Sequence, residues 1–219
     1  MPQIPIYLMP GMAANHLIFQ YLKLSDNYQP YYMHWLMPEK DESLKHYVER
    51  LRRQIHHENP VLLGVSFGGI IVQELARQIP VSQLILISTV KHHHEFSPFL
   101  KKVLKFHLYR LFPSKFLHQS NWFETFSSFH PKFKTRIKLY QKYMDLTHPL
   151  YIDWSMRQVL QWQQNQNLDH YLHIVGEKDH IFPEKYIKSP KIVIPEGRHD
   201  MIIFKAKQIS RIINEKLIY

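Results

Sequence analysis

The sequence predicts an α/β protein: a mostly parallel sheet with helices on both faces. Three observations lead there. Short apolar runs alternate with segments of helical periodicity, the pattern of strand and crossover helix repeated along a chain. A glycine-flanked turn joins a wholly apolar run to a helical one at residues 60–78, "PVLLGVSFGGIIVQELARQ". The chain has 219 residues, 45% hydrophobic and 21% charged, enough for the core of one domain or of one domain carrying an insertion.

The elements follow in order. Residues 3–10, "QIPIYLMP", read as a strand that ends at Pro10-Gly11. In 15–24, Leu17, Ile18, Tyr21 and Leu22 fall at helical spacing, and 31–38, "YYMHWLMP", read as the next strand. Asp41 and Ser43 are candidate caps for a helix over 44–55, whose Leu44, Tyr47, Val48, Leu51 and Ile55 form one apolar stripe. A strand at 60–65, a helix at 68–79 and a strand at 82–89 complete the first half. After Val90 the alternation stops, and "LKKVLKFHLYRLF" and "PKFKTRIKLYQKYMDL" read as amphipathic helices with no strand between them. The rhythm resumes with a helix over 153–164, strands at 171–176 and 191–195, and a closing helix from about 201 to 217. The division that results is a core of residues 1–90 and 153–219, with a helical, basic, aromatic-rich insertion at 91–152.

The formal charge of +10 is concentrated rather than spread. Between Lys91 and Lys142 there are eleven Lys and Arg against two acids, Glu95 and Glu124, and the rest is nearly neutral. Nucleic acid is not expected as a partner on this distribution. The commonest reason for such a cluster is a solvated face; its functional reading is attraction of an anionic acyl carrier or an acidic surface. With no cysteine in the chain, disulfides, a thiolate nucleophile and a cysteine-ligated zinc site are excluded. "KHHHE" at 91–95 is expected to be a solvated loop, because three successive histidines cannot all face one ion without an irregular turn. No metal and no cofactor are expected. The N-terminus lacks the basic and long apolar regions of a secretory signal, and no apolar run approaches the roughly 20 residues of a spanning helix, so a cytoplasmic protein is expected.

The chemistry gathers around Ser66. A serine between the end of a buried strand and the first turn of a helix must adopt a strained backbone that projects its side chain, so its neighbours two residues away must be small. Gly64 and Gly68 meet that need, and the helix after them aims free N–H groups at any oxyanion formed on Ser66. Two later loops supply a base and an acid. Asp179 follows the strand at 171–176, and His199 follows the strand at 191–195. Strand C-terminal ends share one edge of a parallel sheet, so the three can converge although they are distant in sequence. Histidine takes the serine proton, and a carboxylate fixes the tautomer of the histidine and stabilises the imidazolium.

Each of these residues has a plainer reading. Ser66 could be a structural turn serine and His199 a surface loop histidine. Asp153 also lies between Ser66 and His199 and competes with Asp179 for the acid role, although capping of its own helix is the preferred reading. Asp200 lies outside the serine, acid, histidine order.

Gly64-Val65-Ser66-Phe67-Gly68-Gly69, Gly176-Glu177-Lys178-Asp179 with Pro183, and Gly197-Arg198-His199 together resemble the nucleophile elbow, acid turn and histidine loop of the α/β-hydrolase family. The resemblance covers nearly the whole chain. It implies that "MPGM" at 9–12 is the oxyanion loop, with the backbone N–H groups of Met12 and Phe67 forming the hole. It also implies a trimmed sheet of about six strands, because the chain starts too late for the first two of the full fold, and it makes 91–152 the family's variable lid. Pro10 departs from the histidine that many members carry before the glycine; backbone donation is unaffected. The activity implied is a serine hydrolase of carboxylesterase or thioesterase type, acting on a small-molecule ester or thioester with an apolar acyl group. The alternatives are a C–C bond hydrolase or lyase on the same scaffold and a non-catalytic ligand-binding protein. A basic protein docking on nucleic acid or membrane ranks third.

Overall fold

The computed structural model describes residues 3–105, 142–164 and 168–216. Most of the expected insertion, 106–141, and with it aromatics such as Phe106 and Trp122, lies outside the described residues.

Six strands, β1 (Ile4–Met9), β2 (Tyr28–Tyr32), β3 (Val61–Val65), β4 (Gln83–Ile87), β5 (Tyr171–Gly176) and β6 (Ile192–Ile194), form one parallel sheet in the order β2-β1-β3-β4-β5-β6. The helices are α1 (Leu44–Leu51), α2 (Phe67–Ala76), α3 (Pro98–Lys105), α4 (Pro149–Gln161), α5 (Met201–Phe204) and α6 (Ala206–Lys216). None among the described residues is long and apolar enough to cross a membrane.

Alternation along each strand divides the core in two. Tyr7, Met9, Leu62, Leu84, Leu86 and Val175 pack with Tyr47, Val48 and Leu51 of α1, with Ile70, Ile71 and Leu75 of α2 and with Trp154 of α4. Their sequence neighbours Ile6, Leu8, Leu63, Ile85 and Ile174 point the other way, onto Met201 and Ile202 of α5 and Ile209 and Ile213 of α6. Helices therefore cover both faces, and each fully buried Leu or Ile side chain contributes about 1.5–3 kcal/mol through the apolar area it removes from water.

Strand order fixes where a site can lie. From β1 the chain moves outward to β2, then returns to the opposite side of β1 and continues through β3 to β6. The carboxyl ends of β1 and β3 thus flank the crevice at which the winding reverses, the usual ligand position in an open parallel sheet. Gly11 follows β1 there, and Ser66 follows β3.

Three expectations need correction. The strand expected over 31–38 is Tyr28–Tyr32, an edge strand where Pro30 does no harm. Beyond it the chain leaves the sheet because side chains supply its hydrogen bonds. Gln54 accepts from the His34 N–H at 2.8 Å and donates to the His34 carbonyl at 2.9 Å, and the Tyr47 hydroxyl does the same for Leu36 at 3.0 and 2.8 Å. The helix expected over 15–24 is a single 3₁₀ turn, His16–Phe19, capped by Asn15. The Leu22 N–H still donates to the Phe19 carbonyl at 2.9 Å, but beyond it the chain turns to α6, with the Lys23 N–H donating to Ser210 Oγ and the Ser25 N–H to Asn214 Oδ1. Finally, Asp153 is not the cap of its helix: α4 begins at Pro149 with His148 at the N-cap, and Asp153 is an exposed residue inside it. The 152/153 boundary falls within this helix. Of the two caps named for α1, Ser43 performs the task by accepting from the His46 N–H at 3.2 Å.

Candidate active site

Ser66 stands at φ 55°, ψ −121°, a left-handed backbone for a non-glycine residue that costs about 1–3 kcal/mol. Its neighbours hold it there. The Ser66 N–H donates to the Ile87 carbonyl of β4 at 2.9 Å, and the Ser66 carbonyl accepts from the Gly69 N–H at 2.9 Å and from the buried Thr89 hydroxyl at 2.8 Å. A Cβ at Gly64 would overlap the Gly68 carbonyl, and one at Gly68 would overlap the Pro10 carbonyl, so the turn closes against β1 only with hydrogen at both positions. Gly11 lies beside the serine, where an added Cβ would be 3.6 Å from Ser66 Cβ.

The acid turn and the histidine loop are stitched to each other. The Lys178 N–H donates to the Gly197 carbonyl at 2.7 Å, the Glu177 N–H to Ile194 at 3.1 Å, and the Glu196 N–H to the Glu177 carboxylate at 2.8 Å. Asp179 is buried, with Oδ1 accepting from the N–H groups of Ile181 at 2.8 Å and Phe182 at 3.0 Å. Its Oδ2 lies 2.9 Å from His199 Nδ1, and His199 Nε2 lies 2.9 Å from Ser66 Oγ. Both carboxylate oxygens thus act as acceptors. It follows that Nδ1 carries the imidazole proton and that Nε2 of the neutral ring accepts from the serine hydroxyl. The Phe182 ring packs against the imidazole with centroids 5.6 Å apart, so one residue steadies both acid and base.

The structure therefore brings Ser66, Asp179 and His199 into one hydrogen-bonded chain and leaves Asp153 outside it. Met12 lines the same cavity, and Phe67 opens α2, so its N–H has no intrahelical acceptor. The cavity encloses about 350 Å³ above Ser66. Met12, Ile18, Leu100, Met156, Leu160 and Ile202 are among its walls, and no lysine or arginine among the described residues is.

Two contributors escaped the sequence reading, Thr89 and Glu95. Nothing in the spacing of "LISTVKHHHE" marks either. Glu95 is fully buried, and its carboxylate accepts from the N–H groups of Lys91 at 2.8 Å and His92 at 3.3 Å through Oε2, and from Lys188 at 2.9 Å and Ser189 at 2.8 Å through Oε1. It ties the chain leaving β4 to the loop behind the acid turn. His94 in the same motif is exposed, whereas His92 and His93 are half-buried. Burial alone would raise the carboxyl pKa of Glu95, but the donors from Ser189, Lys91 and Lys188 outweigh it and hold it below the ordinary value of 4.5. A depressed folded-state pKa stabilises the fold in full above pH 4.5, and that stabilisation is lost as pH falls through the lower folded value. Glu95→Gln, which turns an NH₂ toward N–H donors, is expected to destabilise the protein by about 1–3 kcal/mol at neutral pH. Urea unfolding at pH 7 and again below pH 4 checks this: the gap between mutant and wild type narrows in acid.

Residues 26–206 match the family described as alpha/beta hydrolase fold, and with the sheet order and the strand-to-helix turn at Ser66 this places the chain in the α/β-hydrolase family. Solved structures extend the likeness over the whole chain. It superposes on a thermophilic esterase from Thermogutta terrifontis with TM-score 0.68 at 18% identity, covering 98% of this chain and 89% of that one. A lipase-esterase related protein from Clostridium acetobutylicum gives TM-score 0.65 at 15% identity, covering 99% and 95%. A structure from work on carboxylesterases of the thaumarchaeon Nitrososphaera gargenis gives 0.68 at 17%, covering 96% and 88%. At such identities the likeness concerns the fold. No curated protein matches the sequence significantly.

Proposed function

We propose that this protein is a serine hydrolase that cleaves an ester or thioester of an apolar acyl group through an acyl-enzyme on Ser66. The observation that carries the reading is the chain Ser66 Oγ, His199 Nε2, His199 Nδ1, Asp179 Oδ2 at the wall of an apolar cavity. As the Ser66 oxygen attacks the acyl carbon, its proton passes to His199 Nε2, and the imidazolium is stabilised by the buried Asp179 carboxylate. The backbone N–H groups of Met12 and Phe67 donate to the oxyanion, with the N-terminal end of α2 adding its positive dipole. Collapse expels the alcohol or thiol, which leaves with the proton from His199. Water then attacks the acyl-enzyme by the same steps, His199 first accepting its proton and then returning it to Ser66.

The lining of the cavity selects the acyl group. A carboxylate-bearing acyl chain would find no lysine or arginine among the described residues of the wall, whereas each methylene buried against Met12, Met156 or Ile202 adds about 0.8 kcal/mol, roughly fourfold in kcat/KM. A p-nitrophenyl ester series is therefore expected to show kcat/KM rising from acetate to octanoate and falling at hexadecanoate. A flat or inverted series contradicts the acyl pocket.

The basic residues of 91–142 favour an anionic carrier for the leaving group. Lys101, Lys102 and Lys142 are exposed, while Lys91 turns inward over the Tyr171 ring at 4.0 Å. Hydrolysis of one acyl group from a neutral and an anionic carrier tests this. The anionic carrier should react faster at low salt and lose its advantage as salt rises; equal, salt-insensitive rates remove the idea.

A further inference from the structure

Both oxyanion donors meet a single side chain that the acyl-transfer chemistry does not itself require. Trp35 donates its indole Nε1–H to the Gly11 carbonyl at 3.0 Å. That carbonyl belongs to the peptide unit whose N–H is Met12's. In a trans peptide the C=O and N–H point in opposite directions, so a partner that fixes the oxygen also fixes the line along which Met12 donates. The Ala14 N–H bonds the same oxygen at 3.0 Å, and the Tyr151 hydroxyl accepts from the Ala13 N–H at 3.3 Å, so the loop is pinned on both sides of Met12. Trp35 also stacks on the ring of Phe67, the second donor, with centroids 5.2 Å apart and planes 6° from parallel.

Trp35 is itself held from both sides. His34 and Leu36 each have N–H and C=O bound by a side chain, Gln54 and Tyr47 respectively, in a stretch with no sheet ladder. Four side-chain hydrogen bonds on the two residues flanking one tryptophan hold its backbone in place outside any strand. The indole is outside the lining of the cavity, so it does not touch the acyl group.

We infer that Trp35 is a positioning residue that presets the oxyanion hole by orienting the Gly11–Met12 peptide and bracing Phe67. The inference rests on the acyl-transfer reading of Ser66. A hydrogen bond to the carbonyl also polarises the peptide and makes the Met12 N–H a better donor. Misaligning one of two donors weakens binding of the transition state and leaves that of the substrate nearly untouched.

The test compares Trp35→Phe, which keeps an aromatic ring on Phe67 and removes the N–H, with replacement of Trp35 by its benzothiophene analogue, which removes only the N–H. Steady-state hydrolysis of the best p-nitrophenyl ester is measured together with inhibition by the matching alkyl trifluoromethyl ketone, whose adduct places an oxyanion in the hole. Loss of kcat by about tenfold to a hundredfold is expected in both, with KM within about twofold and inhibitor affinity falling in step with kcat. Unchanged kcat and inhibition in the benzothiophene enzyme, or a rise confined to KM, overturns the inference, and that isosteric enzyme decides the matter even where Trp35→Phe fails to fold. If the wild type itself neither turns over nor binds the ketone, the hydrolase reading falls and this inference with it. Active wild type with unaffected variants removes the role of Trp35 alone.

Discussion

Ser66→Ala is expected to lower kcat by about 10⁴-fold or more, with KM and thermal stability near wild type. The effect is large because the acyl-enzyme needs the Ser66 oxygen, and alanine leaves His199 Nε2, 2.9 Å from Ser66 Oγ, with no nucleophile on the chain there to activate. Stability should change little. The strained φ of 55° is maintained by the Ser66 backbone, through Ile87, Gly69 and Thr89, and alanine keeps all three bonds. A variant equally inactive but unfolded would say nothing of chemistry, so circular dichroism accompanies the rates. Retention of more than about a tenth of wild-type kcat in a folded Ser66→Ala enzyme is incompatible with an acyl-enzyme on this residue.

Asp179→Asn is expected to cost about 10³- to 10⁴-fold in kcat for a reason specific to this turn. The Ile181 and Phe182 N–H groups require an acceptor at the Oδ1 position. An asparagine must therefore place its carbonyl there and its NH₂ at the Oδ2 position, facing His199 Nδ1. That nitrogen must then accept, the imidazole proton moves to Nε2, and the ring presents an N–H to Ser66 instead of a lone pair. The base is lost while the loop stays intact. Asp153→Asn, on the exposed side of α4, provides the control and should leave kcat unchanged. The reverse ranking would transfer the acid role to Asp153.

The parts of the fold that were legible in the sequence are those held by burial. Strands β1, β3, β4 and β5 appear within a residue or two of their expected positions because each is an apolar run largely buried in the sheet. The short edge strand β6 is equally close because it too is apolar in sequence, although only Ile194 of it is buried. The loops carrying Ser66, Asp179 and His199 were legible for the same reason, since the sheet edge on which they meet follows from strand polarity. What stayed hidden depends on side chains that bond to distant backbone. The 33–38 stretch is apolar enough to read as a strand, but past Met33, which still donates to the Leu8 carbonyl of β1, its backbone is bonded by the side chains of Gln54, Tyr47 and Arg50. Helical spacing in 15–24 counts apolar positions but cannot register that Ser210 and Asn214 claim the backbone of Lys23 and Ser25. Thr89, Glu95 and Trp35 were invisible on the same ground: each acts on a backbone group brought near only by folding.

The most direct test of the central claim, that Ser66 is an activated nucleophile, is intact-mass analysis after exposure to a fluorophosphonate at neutral pH. The reagent phosphonylates an activated serine oxygen and releases fluoride, so one adduct per chain is predicted, located by peptide mapping in 60–78. The adduct should be absent from Ser66→Ala and strongly reduced in His199→Ala. A correctly folded wild-type protein that stays unlabelled, or that is labelled on another residue with Ser66 intact, would contradict the account.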